Sequence, residues 1–212
     1  DCVKKAAVPI ENEPLSAAEL DVVGFNYTHE LWEPYHRMHP ERPIIASEAA
    51  SGLRTRQTYH SNPEQSLLAW NDAQVCSDEE NMPCEEEWEL VATHDFLSGI
   101  FIWTGFDYKG EPAPQEWPAT GSHFGIMDAC GFPKDNYYYY RGCWKDEPLL
   151  HIFPHWNWPE LEGRDIDVFA YTNCEEVELI VNGTSQGRQP ARPYRHMKWP
   201  GVKYAAGRVE GV

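Results

Sequence analysis

Basic residues are scarce in this chain. Its 212 residues include 17 Lys and Arg against 34 Asp and Glu, a formal net charge of −17. A surface of that sign repels phosphate backbones and anionic lipid, so neither nucleic acid nor a membrane surface is an expected partner. Long apolar runs are missing too. No stretch reaches the roughly 18 apolar residues that a membrane-spanning helix needs. No signal peptide is visible, and the chain is expected to be a piece of a longer protein, so the compartment stays open between periplasmic, secreted and cytoplasmic. The six cysteines (Cys2, Cys76, Cys84, Cys130, Cys143 and Cys174) include no C-x-x-C pair, which argues against structural zinc. Cys76 and Cys84 flank the acidic loop from Ser77 to Pro83 and would pair only in an oxidising compartment, so free thiols are expected. The acidic clusters Asp78-Glu79-Glu80 and Glu85-Glu86-Glu87 are read as a solvated loop rather than as a cation site. No metal and no cofactor is expected.

What is present is a set of strand-like runs that end in chemistry. Pro43-Ile44-Ile45-Ala46-Ser47-Glu48 passes from branched apolar residues through small ones to a carboxylate. Buried parallel strands read this way, and in a barrel of such strands the catalytic groups sit at their carboxyl ends. Glu48 occupies that place. Two other runs share the shape: Leu20 to Tyr27, ending in Asn26 and Tyr27, and Ser98 to Tyr108, carrying Trp103 and Asp107. Between the last two, Glu85 to Leu97 predicts a helix, with acids in its first turn where the helix dipole favours them. Trp88, Val91, Asp95 or Phe96, and Leu97 fall near helical spacing, with one face apolar. Strand, helix, strand with converging ends is the βα unit of an α/β barrel.

The stretch from Asp21 to about Trp158 resembles the end of the catalytic domain of glycoside hydrolase family 2, of the bacterial β-galactosidase type. The motifs that carry the resemblance are Asp21-Val22-Val23-Gly24-Phe25-Asn26-Tyr27, Pro43 to Ser51, Phe101-Ile102-Trp103-Thr104-Gly105-Phe106-Asp107-Tyr108 and His151 to Trp158, in the family's order. The resemblance implies that the three runs are the sixth, seventh and eighth strands of a (β/α)8 TIM barrel, and that Glu48 is the catalytic nucleophile of a retaining β-glycosidase. Such enzymes use two carboxyl groups about 5–5.5 Å apart, one attacking the anomeric carbon and one serving as acid and base. Tyr27 would donate a hydrogen bond to Glu48 and keep it ionised, and Trp103 would offer a flat face to the sugar. Asn26, His29, Asp107 and His123 complete the expected substrate-binding set.

The acid/base is expected to lie outside this chain. Glu11-Asn12-Glu13-Pro14 looks like the family's Asn-Glu pair, but one strand-like run separates it from Glu48, where a fourth-to-seventh strand separation needs about 100 residues at roughly 30 or more per βαβ unit. Three strands of eight cannot close a barrel, so the piece alone is expected to be inactive. Family 2 also contains β-glucuronidases and β-mannosidases. The glucuronidases share an Asn-x-Lys motif before a Gly-Ile step, and the matching stretch here, Thr120-Gly121-Ser122-His123-Phe124-Gly125-Ile126, has neither residue. A neutral galactoside is therefore the expected substrate, with a glucuronide, a mannoside or a non-catalytic carbohydrate-binding role as alternatives. A carbohydrate is the expected partner, and homo-oligomerisation of the full-length enzyme is left open.

Residues 148–212 predict a second, incomplete all-β domain after a barrel piece at 1–147. Ile166 to Thr172 alternates with period two. Val177 to Val181 and Thr184 to Arg188 flank Asn182-Gly183, a strong hairpin signal because both turn residues tolerate positive φ. The hairpin accounts for Asn182-Gly183-Thr184 without its glycosylation pattern. A last strand is expected from Lys203 to Val212, and the pattern resembles the immunoglobulin-like domain that follows the barrel in these enzymes.

Overall fold

A computed structural model of the chain describes residues 20–50, 54–59, 64, 83–112 and 115–212. Glu11, Glu13, Cys76 and the acids at 78–80 lie outside them. The first sheet holds β1 (Val23–Asn26), β2 (Ile44–Ala49) and β3 (Leu97–Ile102), in the order β1-β2-β3, with every pair parallel. Parallel neighbours need crossovers, and helices supply them. Helix α1 (Trp32–Met38) lies between β1 and β2, and α2 (Pro83–Thr93) lies before β3. Ile44, Ala46 and Ala49 of β2 are fully buried beside Trp32 and Tyr35 of α1. Small residues there let the helices approach the sheet closely.

Helix α2 stops at Thr93, four residues before the expected end at Leu97, which instead opens β3. Its last carbonyls are taken by side chains: Thr93 Oγ1 donates to Glu89 O at 2.6 Å, and His94 Nδ1 lies 2.9 Å from Leu90 O. Such contacts replace the next helical turn. The first turn of α2 departs from the reading of a solvated acidic run. Glu85 and Glu87 are buried, with Glu86 left at the surface.

After α3 (Asp135–Trp144) the chain forms two antiparallel sheets. One has the order β4 (Leu150–Phe153), β5 (Asp165–Thr172), β8 (Met197–Lys203); the other has the order β7 (Thr184–Pro190), β6 (Glu176–Val181), β9 (Val209–Gly211). The hairpin turn is as expected, with Asn182 at φ 49° and Gly183 at φ 78°. The single strand expected from Lys203 to Val212 is two pieces, β8 ending at Lys203 and β9 beginning at Val209. Between them Gly207 turns at φ 147°, and Asn182 reaches across, accepting from Arg208 N at 2.7 Å and donating to Ala206 O at 3.3 Å.

β5 is the structural pivot. Val168 and Ala170 point into a cluster with Val177, Leu179, Val181, Met197 and Trp199 between the two antiparallel sheets. The alternate residues, Phe169 and Tyr171, pack on the other side against Phe153 and the parallel-sheet core, where Tyr171 also meets Tyr139 of α3 at 5.2 Å. From Val168 to Tyr171 both faces of β5 are therefore packed, which period-two alternation from one core would not predict.

Candidate active site

The site starts at a bulge. Phe25 pairs with Ala46 and Asn26 with Glu48, so one step on β1 matches two on β2. On the other side Ala46 pairs with Ile100 and Ala49 with Ile102, again one residue too many in β2. Without that extra residue, strict alternation would put Glu48 on the buried face with Ala46. The bulge re-aims it. Ser47 and Glu48 both meet the exposed side chain of Asn26: Ser47 Oγ donates to Asn26 Oδ1 at 2.8 Å, and Asn26 Nδ2 donates to Glu48 Oε2 at 3.4 Å. Glu48 is partly exposed there.

Tyr27 contacts Glu48 through the backbone, its N–H donating to Glu48 O at 2.7 Å. Asn26 also reaches the carboxylate, as a side-chain donor. Tyr27 and Thr28 both take positive φ, at 56° and 51°, which ends β1 abruptly and turns the chain toward α1. Trp103 follows β3 and joins the same corner. Its N–H donates to Ala49 O at 3.0 Å, and its ring, 38% exposed, meets Tyr108 edge-on at 6.0 Å.

The remaining expected residues are held in ion pairs of their own. His29 sits between Glu86 and Glu87 of α2, with 3.7 Å to each. The Glu87 contact, with the charges of Glu86, Glu87 and Glu30, raises its pKa against the opposing effect of burial. Asp107 is held by Lys134, whose Nζ donates to Asp107 Oδ1 at 2.6 Å, Arg54 O at 2.7 Å and His123 O at 3.0 Å. All three ammonium protons are thus used, and the Lys134 side chain is closed to solvent. Burial pulls its pKa down to about 8 despite the Asp107 carboxylate. His123 Nδ1 lies 3.6 Å from Asp107 Oδ2.

Asp107, Tyr108, Gly121, Ser122 and His123 line a cavity of about 430 Å³ that Lys109 and Arg56 also enter. Lys109 bridges to Gly121, and its chain runs so close that a Cβ at Gly121 would lie 3.3 Å from Lys109 Cδ. The Thr120–Ile126 stretch carries no cation of its own, yet its cavity has two. Arg56 is tied to Asp128 at 2.6 Å. Sequence reasoning missed Ser47, Lys109 and Lys134. A glycine in a strand interior signals close backbone approach, and Gly24, beside Ser47, was such a signal.

The chain is similar to known proteins over most of its length. Residues 163–212 match a family model described as a domain of unknown function (DUF4982). A curated β-galactosidase of Bacteroides ovatus is 40% identical over 95% of this chain and 26% of its own length. A β-glucuronidase of Bacteroides fragilis is 29% identical over 81% of this chain and 24% of its own. Among solved structures, a β-glycosidase from Bacteroides vulgatus superposes with a TM-score of 0.75 at 30% identity, over 91% of this chain and 29% of that one. A family 2 glycosyl hydrolase from Bacteroides cellulosilyticus follows at 0.64 and 30%, over 92% and 24%. The chain spans about a quarter of the length of each of these relatives. They are glycosidases, and the likeness runs through both the parallel sheet and the antiparallel ones. The chain belongs to glycoside hydrolase family 2, as a segment of such a protein.

Proposed function

We propose that this segment supplies the nucleophile half of the active site of a retaining, exo-acting β-glycosidase, with β-galactosides as substrates. The observation that carries the reading is the Glu48 carboxylate, lifted out of the buried face by the β2 bulge and held by the Asn26 amide beside Trp103. In this reading β1, β2 and β3 are strands six to eight of a (β/α)8 barrel, residues 1–147 belong to the catalytic domain, and residues 148–212 begin an immunoglobulin-like sandwich.

The reaction balances in two steps. A Glu48 oxygen forms a bond to the anomeric carbon as the glycosidic C–O bond breaks, and the departing oxygen takes its proton from an acid on the part of the protein outside this chain. Water then attacks the same carbon, the ester bond to Glu48 breaks, and the water proton returns to that acid/base. Trp103 stacks on the sugar ring, and Tyr27, His29, Asp107 and His123 shape the surroundings, His29 and Asp107 through the ion pairs they make.

The 40% identical β-galactosidase supports a galactoside. One observation favours a second reading, a β-glucuronide: Lys109 stands against Gly121 in the cavity beside Tyr108, and an ammonium is what a sugar carboxylate would meet. The test compares nitrophenyl β-galactoside with nitrophenyl β-glucuronide on the full-length protein. Turnover of the galactoside alone supports the first reading. Turnover of the glucuronide that Lys109→Ala abolishes supports the second. Turnover of neither, with the protein folded, contradicts both.

A further inference from the structure

An asparagine amide has two ends, and only one suits a carboxylate. Nδ2 donates, whereas Oδ1 would face the negative charge with lone pairs. Rotating the amide by half a turn swaps the two at little steric cost, so something must hold Asn26 the right way round. Ser47 does so. Its hydroxyl donates to Asn26 Oδ1 at 2.8 Å, which leaves Nδ2 directed at Glu48 Oε2 at 3.4 Å. In the flipped state the Ser47 hydroxyl would accept from Nδ2, and Oδ1 would abut the carboxylate. Only the observed arrangement satisfies both contacts.

The room for that hydroxyl comes from Gly24. A Cβ at position 24 would lie 2.7 Å from Ser47 Oγ, closer than real Cβ atoms approach, and 3.0 Å from Ser47 Cβ. The bulge contributes as well, since it lets Ser47 and Glu48 reach the same side chain. We propose that Ser47 is a positioning residue for the glycosylation step, fixing the Asn26 amide so that it holds Glu48 Oε2 and leaves Oε1 to attack, and that residue 24 is glycine to admit the Ser47 hydroxyl. This rests on the reading of Glu48 as nucleophile.

The experiment follows attack by Glu48 directly. Full-length protein is incubated with 2-deoxy-2-fluoro-β-galactosyl fluoride and with its glucuronyl counterpart, and the labelling rate at Glu48 is read by mass spectrometry of peptides. Ser47→Ala is expected to lower that rate about ten-fold, the size of one lost hydrogen bond near a charge, with KM for the nitrophenyl substrate little changed. Ser47→Thr, which keeps the hydroxyl, restores most of the rate. Gly24→Ala lowers it like Ser47→Ala, and the double variant is no slower than either single one, because both remove the same contact. Equal labelling of wild type and Ser47→Ala overturns the proposal while leaving Glu48 as nucleophile. So does failure of Ser47→Thr to restore the rate when its melting temperature matches wild type. A wild-type protein that turns over substrate but is labelled at another residue overturns the underlying reading instead.

Discussion

The Lys134 ammonium lies 2.6 Å from Asp107 Oδ1, and neither side chain is more than 9% exposed. A lone charge left in that place has no water to fall back on. Asp107→Asn in the full-length protein is therefore expected to cost about 3–5 kcal/mol, the usual cost of breaking a buried pair from one side. Urea denaturation measures it. The same pair sets a pH dependence. Burial brings Lys134 down to about 8 from an ordinary value near 10.5, so from about 8 to 10.5 the unfolded chain binds the proton that the folded one has released. Stability from this group rises with pH across that window and is flat below it. The denaturation midpoint of wild type, followed from about pH 7 to 10, should rise relative to that of Lys134→Met only above about pH 8.

His29 titrates with the opposite sign. Its pKa is raised, first by Glu87 and then by the charges of Glu86, Glu87 and Glu30. Its stabilising effect is complete below the ordinary value of 6.5 and fades as the pH climbs through the raised one. A third of the side chain is exposed, so solvent screens the effect and the slope is shallow. His29→Gln should remove the slope between pH 6.5 and the alkaline end of that range. Because His29 follows Tyr27 and Thr28, the substitution should also reduce kcat modestly, by less than the substitutions at Ser47 or Glu48.

Glu85 and His196 tie the first turn of α2 to the segment leading into β8. Glu85 is fully buried, and its Oε1 lies 2.9 Å from His196 Nδ1 and accepts from the His196 N–H at 3.2 Å. Arg195 pairs with Glu89 one turn further on, and Tyr139 OH donates to Tyr194 O at 3.1 Å. Glu85→Ala removes the carboxylate that the His196 backbone N–H and ring contact, at about 1–3 kcal/mol for each buried hydrogen bond lost. Glu85→Gln keeps an acceptor in place and should cost less. Limited proteolysis of the full-length protein should cut faster between α2 and β8 in the alanine variant than in the glutamine one.

Much of the scaffold was legible in the residues. Ile44 to Glu48 reads as a buried parallel strand because its face toward the helices is wholly dry, and Asn182-Gly183 announces its hairpin through backbone freedom. Other elements hid for physical reasons. β8 carries Pro200 and Gly201 in mid-strand, which look like a break. They sit at a register shift where three residues of β8 span two of β5, and Gly201 N donates to Asp167 at 2.9 Å. Proline is tolerated at such a bulge. The bulge in β2 has no side-chain signature, yet it decides which way Glu48 points. The Lys134–Asp107 and His196–Glu85 pairs join residues 27 and 111 positions apart, beyond the reach of local spacing. Acids at a helix start read equally well as solvated, so the burial of Glu85 and Glu87 needed the partners to be seen.

The central claim is that Glu48 forms the glycosyl-enzyme. It is tested most directly by Glu48→Gly in the full-length protein, assayed on the accepted nitrophenyl glycoside with and without sodium azide. The account predicts a loss of about 10⁴-fold or more in kcat/KM, as for other removed nucleophiles. Azide should then restore turnover and yield the α-configured glycosyl azide, because the small anion attacks from the side that the carboxylate vacated. Near wild-type hydrolysis without azide, or a β-configured product with it, would contradict the assignment of Glu48 as the nucleophile.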